Sequence, residues 1–213
     1  MNENSFINRR SRNIMPKTPE RCQEIREETR KKILHDAMLY FARNGFAGTK
    51  ISDLADYIGI GQGTLYIYFK SKEDLFKEIF AVCNNNKEIK DLKTLSRLPL
   101  SAKSKIRKLS KTVIEKLEQD ENYAAKVTLT MQVLLEKNDL TSESTTYQSE
   151  IYQYTAKIIE QGQKENSVVA GSPIKLADFY WSVVYLYALK KQFTTQYEAI
   201  TSADLERVLL KDE

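Results

Sequence analysis

The 213-residue sequence predicts an all-α fold, and three observations carry that prediction. Turn formers are scarce, with seven glycines and four prolines, whereas an all-β chain needs a turn every ~8–12 residues. Apolar residues recur three and four apart along most of the chain, the period of a helix. No stretch alternates convincingly as a strand: Tyr152 and Tyr154 do so locally, but Ile151, Tyr154, Ile158 and Ile159 keep helical spacing. With 41% hydrophobic and 29% charged residues, the chain is apolar enough and long enough to bury a core.

The elements follow in order. Residues 1–17 are polar, carry Arg9, Arg10, Arg12 and Lys17, and read as a flexible basic arm. Thr18-Pro19 opens the first helix, threonine as N-cap and proline at the first helical position. That helix runs to Asn44-Gly45 and buries a stripe of Ile33, Leu34, Ala37, Met38 and Phe41, while Arg21 to Lys32 are charged and solvated. A short helix over Lys50–Ile58 gathers Ile51, Leu54, Ala55 and Ile58 on one side. Gly59-Ile60-Gly61 breaks it, and another short helix spans Gln62–Phe69. Ser71 with Asp74 three residues on is a capping sequence. It opens a long helix through Leu75, Phe76, Ile79 and Phe80 toward Leu95, with Asn84-Asn85-Asn86 on an exposed face. Beyond Pro99 come helices at 101–119, 121–137, 144–165, 173–195 and 202–211, the fourth started by Ser172-Pro173.

Composition removes several chemistries. One histidine (His35, read as a helix-surface residue) and two cysteines (Cys22, Cys83) cannot assemble a Cys/His zinc site, a histidine-based triad or a disulfide framework. No paired carboxylates stand in an apolar setting, so no catalytic residue, metal or cofactor is expected, and the chain is not read as an enzyme. The longest apolar stretch, Leu176–Leu189, contains Asp178 and Ser182 and falls short of the ~20 residues that span a bilayer. With a polar, basic start, the chain is expected in the cytoplasm. Charge is lukewarm evidence for nucleic acid: residues 1–80 carry net +3 and residues 81–213 net +1. Placement matters more than the sum.

The chemistry lies in Thr49–Lys72. Two short helices joined by a glycine-containing turn, backed by a longer first helix, describe a helix-turn-helix, whose second helix enters the DNA major groove. With Gln62 set at zero, Leu65 and Phe69 fall at ~300° and ~340°, a buried side. Gly63, Thr64 and Ile67 fall at ~100°, ~200° and ~140°, an outward side, with Tyr66 and Tyr68 on the flanks. Gly63 lets the backbone approach closely. Thr64 can hydrogen-bond a base edge or touch a thymine methyl, and Ile67 can touch such a methyl. Tyr66 and Tyr68 can donate to phosphate oxygens, and Lys50 and Lys72 can each neutralise a phosphate.

Gly45-Phe46-Ala47-Gly48-Thr49-Lys50-Ile51-Ser52-Asp53-Leu54-Ala55, followed by Gly59-Ile60-Gly61-Gln62-Gly63-Thr64-Leu65-Tyr66-Ile67-Tyr68-Phe69-Lys70-Ser71-Lys72-Glu73-Asp74-Leu75, resembles the TetR family of transcriptional regulators. The specific core is Gly63-Thr64-Leu65-Tyr66, then Tyr68-Phe69, then Ser71-Lys72 through Leu75. The resemblance implies a DNA-binding domain over 18–80 and a helical ligand-binding and dimerisation domain over 81–213. It implies a homodimer on a palindromic operator, a repressor relieved when a small-molecule effector moves the DNA-reading heads apart. Carried over position by position, its DNA contacts fall on Lys50, Gln62, Gly63, Thr64, Tyr66, Ile67, Tyr68 and Lys72. Two positions depart from the family pattern. Gly61 stands where Ser or Thr usually caps the recognition helix, and Lys50 stands where a small hydroxyl is common, so the preceding cap is expected to shift to Thr49.

The C-terminal part adds two expectations of its own. Leu176–Leu189 is apolar nearly all round, so one side is core and the other a partner subunit. Leu205, Val208 and Leu209 give the last helix a stripe for the same interface, so a two-fold dimer is expected through 173–195 and 202–211. Aromatic residues with polar tips suit a ligand site, and Met131, Tyr147 and Trp181 are the candidates for its lining. The default ligand is an apolar or aromatic molecule with a few polar groups, with a cation on an aromatic face as a variant. The competing reading is a helical adaptor whose C-terminal domain binds a protein and not a metabolite.

Overall fold

The computed structural model describes residues 18–83, 87–135 and 149–211. Ten helices account for most of them: α1 Pro19–Asn44, α2 Ile51–Ile58, α3 Gln62–Tyr68, α4 Lys72–Cys83, α5 Lys87–Arg97, α6 Ala102–Gln119, α7 Glu121–Leu135, α8 Glu150–Lys164, α9 Pro173–Phe193 and α10 Ser202–Glu206. The one β feature among the described residues is an isolated antiparallel bridge between Val168 and Leu210. The arm at 1–17 and the Asn84–Asn86 run lie outside the described residues. So does Tyr147, one of the three candidates for the ligand lining.

Most helix starts fall where the sequence puts them. Thr18 accepts the Arg21 N–H at 3.3 Å, with Pro19 in the first turn of α1. Ser71 accepts the Asp74 N–H at 3.1 Å, and the Asp74 carboxylate accepts the Lys70 N–H at 3.1 Å, so the cap of α4 reaches one residue further back than expected. The helix expected to run toward Leu95 is described as α4 and α5, with residues 84–86 between them outside the described residues. One expectation is corrected. The last helix is five residues, not ten, and its continuation turns back to make the Val168 bridge.

Two buried clusters organise the molecule. The first joins α1, α2, α3 and α4 around Ile33, Phe41, Leu54, Leu65, Phe69 and Leu75, and it borrows Ala125 and Leu129 from α7. The second fills α5–α10 around Ile106, Val113, Tyr152, Ile158, Tyr180 and Val184. Helix α7 therefore belongs to both. Polar contacts pin it further: Arg43 pairs with Glu121 at 3.0 Å, and Gln192 of α9 donates to the Ala124 carbonyl at 3.1 Å. Within the second cluster the buried Lys105 ammonium donates to the Ser96 carbonyl at 2.9 Å and to Gln161 Oε1 at 2.7 Å, tying α5, α6 and α8 together.

Helix α9 faces two ways. Leu176, Ala177, Tyr180, Trp181, Val184 and Ala188 are buried, whereas Phe179, Leu186 and Phe193 are exposed. The stripe of the last helix is different. Leu205 and Leu209 are fully buried inside the chain's own core against α6, so those two side chains are not available to a partner subunit. This corrects the expected contribution of 202–211, because the turn after Glu206 folds the stripe inward.

Candidate nucleic-acid interface

Glycine sets the turn before α3. Gly59 ends α2 at φ 77°, ψ 34°, the left-handed region that a residue with Cβ adopts at a cost. Its N–H returns to the Asp56 carbonyl at 3.1 Å and the Ile60 N–H to the Ala55 carbonyl at 3.0 Å, which closes the helix. Gly61 then caps α3 in extended conformation without a side-chain bond. Lys50 is the N-cap of α2, also without a side-chain bond. The cap does not shift to Thr49, whose hydroxyl is buried and donates to the Gly45 carbonyl at 2.6 Å.

The two-sidedness of α3 matches its helical wheel. Leu65 is 0% exposed and Phe69 1%, both sunk among α1, α2 and α4. The Arg30 guanidinium lies 5.0 Å from the centre of the Phe69 ring and pairs with Glu78 of α4. Lys32 donates to the Ile58 carbonyl at 2.7 Å, holding the end of α2. On the other side Ile67 is 68% exposed and Tyr66 47%. Gln62, Gly63 and Lys50 are exposed, and Thr64 and Tyr68 are half-buried. A Cβ built on Gly63 meets nothing within 4 Å, so the chain's own packing does not require glycine there. An isoleucine this exposed on a helix anchored by two buried side chains is a surface shaped for something outside the chain.

Of the expected contacts, Gln62, Gly63, Thr64, Tyr66, Ile67 and Tyr68 lie on α3, and Lys50 is exposed at the start of α2. Lys72 stands apart. Its ammonium donates to the Phe46 and Thr49 carbonyls, each at 3.0 Å, and sits 4.4 Å from the centre of the Phe46 ring. Two of its three donors therefore hold the loop between α1 and α2. Sequence reasoning missed Arg30, placed in a segment read as solvated; its partners are tens of residues away and leave no local signal. It also passed over the exposed Lys70, directly after α3.

A second site opens in the other half. A cavity of about 470 Å³ lies among α5, α6, α7 and α8, with Trp181 of α9 on its wall. Met131 and Trp181, two of the expected lining residues, line it. Trp181 donates from Nε1 to Thr155 Oγ1 at 3.0 Å, and the Tyr152 hydroxyl points at Met131 Sδ at 3.8 Å. Burial, and next the Glu88 carboxylate, push the Tyr123 hydroxyl to a higher pKa than usual, so it stays neutral. Among the described residues no group of three or more His, Cys, Asp or Glu side chains is placed to hold a metal, and no helix is long and apolar enough to cross a membrane.

Residues 33–79 match the family described as bacterial regulatory proteins, tetR family. The HTH-type transcriptional regulator AcrR of Shigella flexneri is 28% identical over 117 residues, 55% of this chain and 53% of AcrR, so the chain spans about half the length of that relative. A TetR-family transcriptional regulator from Agrobacterium tumefaciens shares the fold with a TM-score of 0.64 at 16% identity, covering 85% of this chain and 97% of that one. AibR, solved with isovaleryl coenzyme A and operator DNA, aligns with a TM-score of 0.59 at 17% identity over 84% of this chain and 94% of AibR.

Proposed function

We propose that this chain is a regulator of the tetR family, which residues 33–79 match, and that it binds a specific operator through α3 and represses transcription until a small-molecule effector releases it. The observation that carries the reading is Ile67, 68% exposed on a helix whose Leu65 and Phe69 are buried. In the major groove Ile67 meets a thymine methyl, Thr64 a base edge, and Gly63 lets the helix approach. Tyr66, Tyr68 and Lys50 reach phosphate from the flanks. Lys72 contributes its charge at the rim while its donors hold the loop.

Two copies act together on an inverted repeat. The dimer forms through α9, where Phe179, Leu186 and Phe193 recur every seven residues, two helical turns, along one exposed seam. A two-fold axis brings that seam against itself. The 202–211 segment adds at most its half-buried Val208 and Leu210. Helix α7 supplies the route from effector to DNA: Ala125 and Leu129 pack in the head, while Val127, Thr130 and Met131 line the cavity. A ligand that shifts α7 shifts the head. Selection of bound fragments from random duplexes tests the proposal. It is expected to return an inverted repeat with half-sites about one helical turn, ~34–36 Å, or a multiple apart. Recovery of no enriched sequence would overturn it.

A further inference from the structure

We infer that the cavity takes an amphipathic organic anion, an apolar body ending in a carboxylate-like head that pairs with Lys126. The inference rests on the reading of this cavity as the effector site and adds the charge and shape of the ligand to it. About 470 Å³ is room for roughly sixteen water-sized groups at ~30 Å³ each. The deep wall is apolar, with Leu92, Leu109, Val113, Tyr152 and Trp181 buried. Its polar tips are already engaged, Trp181 with Thr155 and Tyr152 with Met131. A polar ligand body would lose its hydration there without finding partners.

The charges then decide the head group. Five charged side chains line the cavity: Glu88, Asp91, Lys108, Lys116 and Lys126. Glu88 is matched by Lys116, 3.5 Å away. The Lys116 ammonium also stands 5.4 Å from the centre of the Tyr123 ring. The Tyr123 face therefore already faces the protein's own cation. Asp91 and Lys108 are both exposed and carry opposite charges. Lys126 is left over. It is half-buried on the cavity side of α7 and pairs with no carboxylate among the described residues. An entering carboxylate gives that ammonium a charge-assisted hydrogen bond. Because Lys126 lies between Ala125 and Val127, the pairing acts on the helix that joins cavity and head.

The chain has a single tryptophan, Trp181, on the cavity wall, so its fluorescence reports occupancy directly. The full-length protein is titrated with octanoate, decanoate and dodecanoate, and with decan-1-ol and decyltrimethylammonium, all below micelle formation. The alkanoates are expected to shift Trp181 emission saturably, with affinity rising about fourfold per added methylene. Decanoate is expected to bind at least tenfold tighter than decanol and tighter still than the ammonium homologue. In Lys126→Met the preference of decanoate over decanol should vanish, and in Lys126→Arg it should persist. Equal or tighter binding of the ammonium compound or decanol in the unmodified protein overturns the anion assignment and leaves the effector reading standing. A decanoate preference surviving in a folded Lys126→Met does the same. If none of the compounds moves Trp181, the anion assignment and the effector reading of the cavity both fall.

Discussion

Truncating Ile67 isolates the contact on which specificity is proposed to depend. Ile67→Ala removes three carbons from a side chain that is 68% exposed. Because so little of it is buried in the free protein, the folded state should lose less than about 0.5 kcal/mol. On DNA the exposed two-thirds would be covered. At ~0.8 kcal/mol per methylene, three carbons at that fraction give about 1.6 kcal/mol, roughly a fifteenfold loss of specific affinity. Leu65→Ala is the contrast. That side chain is fully buried, so its truncation should destabilise the head by ~2–5 kcal/mol and abolish binding through unfolding. Fluorescence anisotropy with the selected operator and with a scrambled duplex, at one salt concentration, separates the two variants. Replacing thymine by uracil at each operator position removes the C5-methyl from the other side. One such position should weaken the unmodified protein and leave Ile67→Ala unaffected. The face assignment is refuted if Ile67→Ala weakens scrambled and specific duplexes equally, or leaves the operator affinity within twofold of the original.

Four further outcomes are expected. The logarithm of DNA affinity should fall linearly with the logarithm of salt concentration, with a slope of about −0.9 per phosphate neutralised; a slope near zero would contradict a backbone-contacting interface. Lys72→Met keeps the apolar stem but removes the bonds to the Phe46 and Thr49 carbonyls, so it should lower thermal stability of the head by ~1–3 kcal/mol as well as weakening DNA binding; a variant with unchanged melting would show the bonds to be dispensable. Leu186→Asp, in the exposed seam of α9, should yield a folded monomer by sedimentation, and a dimer that persists would place the interface elsewhere. The Glu165 carboxylate is held below its ordinary value of 4.5 by the Gln161 side chain first and the Ala102 N–H next. A lowered folded pKa stabilises above the ordinary value and is lost as pH falls through the lowered one, so the melting-temperature gap between the unmodified protein and Glu165→Gln should narrow progressively as the pH falls below 4.5. A gap that stays constant with pH would contradict the assignment.

Much of the head was legible in the sequence because its signals are local. Thr18-Pro19, Gly59, Gly61 and Ser71 mark boundaries through backbone conformation and short-range capping, and the wheel of α3 separates Leu65 and Phe69 from Ile67 with no knowledge of neighbours. What escaped was long-range. Lys72 reads as a surface cation, and only the folded loop shows the Phe46 and Thr49 carbonyls turned toward it. The Leu205 and Leu209 stripe is apolar in either reading; the sequence does not say that α6 covers it before a partner subunit does. The same holds for the cavity. Met131 and Trp181 are visible as aromatic or flexible apolar residues, whereas the matching of Glu88 by Lys116, which leaves Lys126 over, exists only once α5, α6 and α7 are packed.

Methylation interference on the selected operator tests the placement of α3 most directly, because guanine N7 lies in the major groove and adenine N3 in the minor groove. The account predicts that N7 methylation blocks binding in two clusters about one helical turn, or a multiple of it, apart, one for each protomer. Interference confined to adenine N3, or absent from both grooves, would contradict it.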